Sequence, residues 1–144
     1  MSAKQSNTRV GDFSVLAGEL LTDLDGRLVK MSHDTGVAEV LLPTANDDHV
    51  PYVVLEGAAD GELVDVRPIE AGRNIRVVLK GTCNPGDVMV LADGVTTATD
   101  AGKVRVLPEE AGTYRGLGIA EEVGEEGQLL LIRPVLIGSI TVGE

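Results

Sequence analysis

Aromatic side chains are nearly missing from this sequence: Phe13, Tyr52 and Tyr114 are the only three in 144 residues, and there is no tryptophan. Proteins that hold single-stranded nucleic acid stack bases on aromatic faces, and sugar-binding platforms draw on such faces too, so both functions have little to build on. Basic residues are also scarce. Twelve Lys and Arg stand against 23 Asp and Glu, giving a net charge of -11, and such a surface repels a phosphate backbone. His33 and His49 are the only histidines, and Cys83 is the only cysteine. A lone cysteine excludes an intrachain disulfide, and its small apolar side chain is expected to be buried. The longest apolar runs, Leu129 to Ile132 and Val88 to Ala92, fall far below the ~20 residues that span a bilayer. The opening MSAKQSNTRV has no apolar stretch of secretory length. No membrane partner and no nucleic-acid partner is expected.

What the chain does contain is Val, Leu, Ile and Gly. Apolar residues make up 43% of it and glycines number 18, so the core has to be aliphatic and the turns frequent. A chain of this length can form one core without a metal or disulfide staple. Ile75, Val77 and Leu79 alternate with Arg76, Val78 and Lys80, and Val104 and Val106 alternate with Lys103 and Arg105. That period of two predicts half-buried strands. Val88 to Leu91 and Leu129 to Ile132 do not alternate, which predicts central strands covered on both faces. Turns are expected at Asp25-Gly26, Asp60-Gly61, Asn84-Pro85-Gly86 and Asp93-Gly94, where Gly supplies positive φ and Asp or Asn bonds its own backbone. The fold class is therefore all-β, with at most one or two short helices, at Pro108 to Ala111 or near Leu42 to His49, in a compact sandwich or barrel-like domain.

Residues 1–12 read as an N-terminal arm and 13–144 as a single β-rich domain. The arm is polar, lacks periodicity and holds Lys4 and Arg9, the only charges before Asp12; these two are the candidate contacts to a neighbouring subunit or a partner. One internal echo is present: Gly61-Glu62-Leu63-Val64-Asp65-Val66-Arg67-Pro68 matches Gly127-Gln128-Leu129-Leu130-Leu131-Ile132-Arg133-Pro134, about 66 residues later. Two copies are too few for a solenoid, leaving chance or a reused strand-turn-strand device, with each Pro ending a strand or sitting at an edge.

Reactive constellations are weak. In Asp47-Asp48-His49, adjacent residues point to different faces and no second ligand cluster accompanies them, so a solvated loop is expected rather than a metal site. Asp23 and Asp25 begin like a calcium loop, but the rest of that pattern is absent and a β-turn explains Asp25-Gly26 better. Gly116-Leu117-Gly118 lacks the third glycine of a dinucleotide fingerprint; on a strand, Tyr114, Gly116, Gly118 and Ala120 share one face and leave room for a neighbour. Glu109, Glu110, Glu121, Glu122, Glu125 and Glu126 are expected as a solvated acidic rim, since paired carboxylates need a desolvated cleft to separate their pKa values. A cupin metal site would draw on several histidines, and neither His lies in the jelly-roll-like stretch from Val77 to Val90. No catalytic residue, metal or cofactor is assigned.

The segments Tyr52 to Gly61, Ile75 to Gly81, Gly86 to Val90 and Gly116 to Glu122, in that order, resemble the capsid decoration, or cement, proteins of tailed bacteriophages. The resemblance covers the C-terminal two-thirds; residues 1–45 match least. It implies a structural virion protein made in the host cytoplasm. Its implied place is the outer surface of an expanded capsid, as a homotrimer at threefold positions. There it would bind the major capsid protein and stabilise the shell against internal DNA pressure. The competing expectation is a generic β-sandwich binding module that recognises a carbohydrate or a surface protein. An enzyme comes third.

Overall fold

The computed structural model describes residues 11–34 and 36–143. They form eleven strands: β1 (Phe13–Ala17), β2 (Leu28–Asp34), β3 (Val37–Leu41), β4 (Tyr52–Glu56), β5 (Leu63–Pro68), β6 (Ile75–Val78), β7 (Val88–Leu91), β8 (Val104–Val106), β9 (Gly112–Ala120), β10 (Leu129–Arg133) and β11 (Gly138–Val142). The all-β class is as expected. The first five strands close a barrel in the order β1-β3-β2-β4-β5, with β5 returning antiparallel to β1 and with β1 and β3 parallel. The remaining strands form a sheet in the order β6-β10-β9-β7-β8, and β11 pairs with the N-terminal half of β9.

The second sheet repeats the barrel. Phe13 faces Val66 in the first half and Ile75 faces Ile132 in the second. Likewise Leu28 faces Val53 as Val88 faces Ile119, and Met31 faces Val40 as Leu91 faces Val104. The parallel closure recurs too, as Ala17 beside Val40 and as Leu79 beside Val104. Even the turns correspond. The Gly26 N–H donates to the Val54 carbonyl as the Gly86 N–H does to Ala120, and the Gly61 N–H donates to Ala17 as the Gly127 N–H does to Leu79. Gly61 and Gly127 both have φ near +80° (82° and 83°), a conformation that costs a side chain energy and glycine almost none. The echo in the sequence is thus the most visible part of a repeated five-stranded unit.

Two apolar clusters result. Val15, Ala17, Leu21, Val29, Val40, Val54, Val64 and Val66 fill the first barrel. The second cluster lies inside the second unit and includes Ile75, Val77, Met89, Leu117, Leu130 and Ile132, but it also takes in Leu28, Val50 and Val53 from the first. Neighbours on a strand point to opposite faces, so while Val29 and Val54 point into the barrel, Leu28 and Val53 leave it and plug the second unit. Backbone hydrogen bonds cross the junction as well: Val78 N–H to Gly26 C=O at 2.9 Å and Leu28 N–H to Gly102 C=O at 2.8 Å. Arg27 adds guanidinium bonds to the carbonyls of Ala101 (2.9 Å) and Thr99 (3.2 Å).

Three expectations need adjustment. β7 and β10 are interior strands as read, but neither is covered along its whole length: in β7 Met89, Val90 and Leu91 are buried and Val88 is half-buried. Leu130 and Ile132 of β10 are buried, whereas Leu129 is exposed and Leu131 half-buried, because the outer face of the second unit is open there. Residues 42–49 and 108–111 hold no helix; among the described residues the one short helical turn lies at Ala98–Asp100, which the sequence did not signal. The expected turns at Asp25-Gly26, Asp60-Gly61, Asn84 to Gly86 and Asp93-Gly94 are all present.

Candidate interaction surfaces

The polar clusters singled out in the sequence hold the backbone in place. Asp48 Oδ2 accepts the N–H groups of Thr44 (2.8 Å) and Ala45 (3.0 Å) and pairs with Lys30 Nζ at 3.2 Å. Partial burial favours the neutral acid, but those bonds and the lysine outweigh it and leave the Asp48 pKa below the usual carboxylate range. The Asp47 carbonyl accepts two bonds from Arg115. Asp25 Oδ1 accepts the Gly57 N–H at 2.8 Å, which ties its β-turn to the start of the β4–β5 connection. Among the described residues no group of three or more His, Cys, Asp or Glu side chains is placed to hold a metal ion.

The acidic rim is partly a set of clasps. Glu121 pairs with Arg133 (3.2 Å), Glu122 with Arg76 (2.9 Å), and Glu126 with Lys80 (3.3 Å). Glu122 also accepts the Leu131 N–H at 3.0 Å and Glu126 accepts the Gly81 N–H. These bonds to the ionised forms hold both glutamates below the ordinary range. Asp100 is the one buried charged residue among those described; its carboxylate meets Lys103 at 3.1 Å and Lys80 at 3.5 Å. Cys83 is buried as expected, and burial pushes its thiol pKa up, away from the thiolate a nucleophile needs. The shared face of β9 is a packing surface: a Cβ on Gly116 would lie 2.6 Å from Ile140 Cδ1, and one on Gly118 would lie 2.0 Å from the Arg133 carbonyl oxygen.

The surface has two apolar features. The first is a cleft of about 660 Å³ in the wall of the first barrel. β1 and β3 are in register only at Leu16 with Glu39 and Ala17 with Val40; beyond these the strands diverge, and Phe13, Met31, Val37, Tyr52 and Leu63 line the gap. Phe13 and Tyr52, two of the chain's three aromatics, meet edge to face across it, 5.3 Å between ring centres. The second is the loop between β10 and β11, where Val135, Leu136 and Ile137 are all exposed. Neither was singled out from the sequence. The only signal for the cleft was the grouping of rare aromatic positions with apolar residues that break strand alternation. Lys4 and Arg9, the candidate contact residues, lie outside the described residues.

No family model matches this chain, and no curated protein matches it. Among solved structures it is similar to the head fiber gp8.5 N base of bacteriophage phi29, with a TM-score of 0.64 and 18% identity. What the two have in common is the fold. The alignment covers 92% of this chain and 98% of the other, so it runs through both five-stranded units rather than through one repeat.

Proposed function

We propose that this chain is a structural protein of a tailed-phage head that binds the outer surface of the expanded capsid. The observation that carries the reading is the end-to-end likeness to the phi29 head fiber base. It agrees with the resemblance of residues 52–122 to capsid decoration proteins, a likeness of sequence order rather than of fold. The finer reading is a homotrimer at threefold positions, contacting the major capsid protein and resisting internal DNA pressure, with no catalytic step. Lys4 and Arg9 of the arm reach acidic surface on a neighbour or on the shell.

Binding of this kind stabilises by linkage. A ligand that binds only the expanded shell adds RT ln(1 + [L]/Kd), about 2.7 kcal/mol per site at a hundredfold excess, and the gain recurs at each lattice site. The test is co-sedimentation of the purified full chain with expanded and unexpanded shells of the phage that encodes it. Saturable binding to expanded shells, and a higher shell disruption temperature when decorated, are expected. A protein that stays in the supernatant with expanded shells at micromolar concentration would sink the proposal. Deleting residues 2–11 should weaken shell binding or assembly while leaving the far-UV spectrum intact.

A further inference from the structure

The contact that joins the two five-stranded units occurs once in the chain, yet the surfaces that make it occur twice. In the second unit, β6 and β8 touch through the lone parallel pair Leu79 and Val104, and the start of β2 occupies the space beside it, through Val78 N–H to Gly26 C=O and Leu28 N–H to Gly102 C=O. By the strand equivalences above, Val78 and Gly102 correspond to Leu16 and Ala38. Both line the open cleft between β1 and β3. The covering surface is duplicated as well. Leu28 and Val53, buried in the junction, correspond to Val88 and Ile119, which pair across β7 and β9 and remain only half-buried. Among the described residues, therefore, nothing covers the cleft on the first unit, and the matching face on the second is left half-buried.

We propose that a second copy of this chain covers the β1/β3 cleft with its Val88–Ile119 face, repeating between copies the contact that joins the units within one. The copy is looser than the original. Asp87 stands where Arg27 donates to two carbonyls, and Ala38 carries a methyl where Gly102, at φ +81°, lets the Leu28 carbonyl approach. The contact between copies is therefore reversible while the internal one is permanent. Two different surfaces meet, so the association is head to tail and closes into a ring when the rotation permits. That the ring holds three copies rests on the function proposed above; the contact itself does not.

Within the chain, Val53 and Arg76 line one small cleft at the junction. Their counterparts between copies are Ile119 and Ser14, both on strands. Full-length S14C and I119C proteins are mixed and mildly oxidised. A disulfide-linked pair holding one of each is expected in the mixture, with none from either variant alone and none from the wild type, whose Cys83 is buried. As a second measurement, L63R places a charge at the rim of the cleft on a residue already 64% exposed, so the fold is kept. It should weaken association by about tenfold in light scattering, with an unchanged far-UV spectrum. Linkage within S14C alone or I119C alone, absence of the mixed product, or a wild-type mass of one chain at every concentration would each overturn the inference. None of these readouts uses a capsid, so their failure leaves the shell-binding proposal standing, and failure to bind shells leaves a linked pair intact.

Discussion

Leu28→Ala and Val88→Ala remove side chains from the same place in the two repeats, and only burial distinguishes the sites. Leu28 is fully buried, sealed between the units, whereas Val88 is half-buried on an outer face. Shortening Leu28 removes three carbons from water-free surroundings, about 2.4 kcal/mol at ~0.8 kcal/mol per carbon. A residual cavity between two stiff sheets adds to this, for a total of about 3–4 kcal/mol. Val88→Ala removes two carbons that are partly wet in the isolated chain and should cost about 1 kcal/mol or less. Against a typical total stability of about 5–15 kcal/mol, the first loss is large and the second small. Urea unfolding of dilute protein followed by far-UV circular dichroism measures both. Equal costs, or a Leu28→Ala cost under about 1 kcal/mol, would refute the claim that the junction is core.

Two further perturbations follow from the same geometry. Gly118→Ala sets a methyl carbon 2.0 Å from the Arg133 carbonyl oxygen and 2.7 Å from its carbon. Because backbone cannot swing aside, the loss should exceed about 3 kcal/mol, while Gly72→Ala, with nothing within 4 Å, should stay within about 0.5 kcal/mol; a neutral Gly118→Ala refutes the packing of β9 on the 133–134 segment. For acid, Asp12, Asp48, Asp100, Glu122 and Glu126 all titrate below their ordinary values. For Asp100, burial works against ionisation, but the Lys103 bond and the charges of Lys103 and Lys80 prevail. Depressed carboxylates contribute stability that is fully present above the unfolded values, about 4, and is lost as pH falls through the folded ones. The Tm should hold from pH 7 to about 5 and fall below about 4, and a Tm unchanged down to pH 2 contradicts the clasps.

Much of the fold was legible because glycine turns and β-branched alternation are local signals. Ile75, Val77 and Leu79 are buried as their spacing implied, and Pro68 and Pro134 do end β5 and β10. The repeat was legible only at one strand pair. Topology survived while side chains diverged, so Tyr52 corresponds to Gly118, Leu21 to Cys83 and Val29 to Met89, and no local match betrays the correspondence. Leu129 is exposed where the apolar run implies burial, because such a run does not say which of its faces another element will cover. The cleft leaves no local signal since it arises where β1 and β3 part, a long-range fact about two strands separated by β2. Lys4 and Arg9 stand out by charge contrast alone, which gives no position in space.

The hydrogen bonds from Val78 to Gly26 and from Leu28 to Gly102 have a mechanical meaning. They join the two units through main chain, in the plane of the strands, instead of through side-chain contact alone. Sliding one unit past the other breaks those bonds together with the two from Arg27. The junction therefore opposes shear between the units as well as their separation.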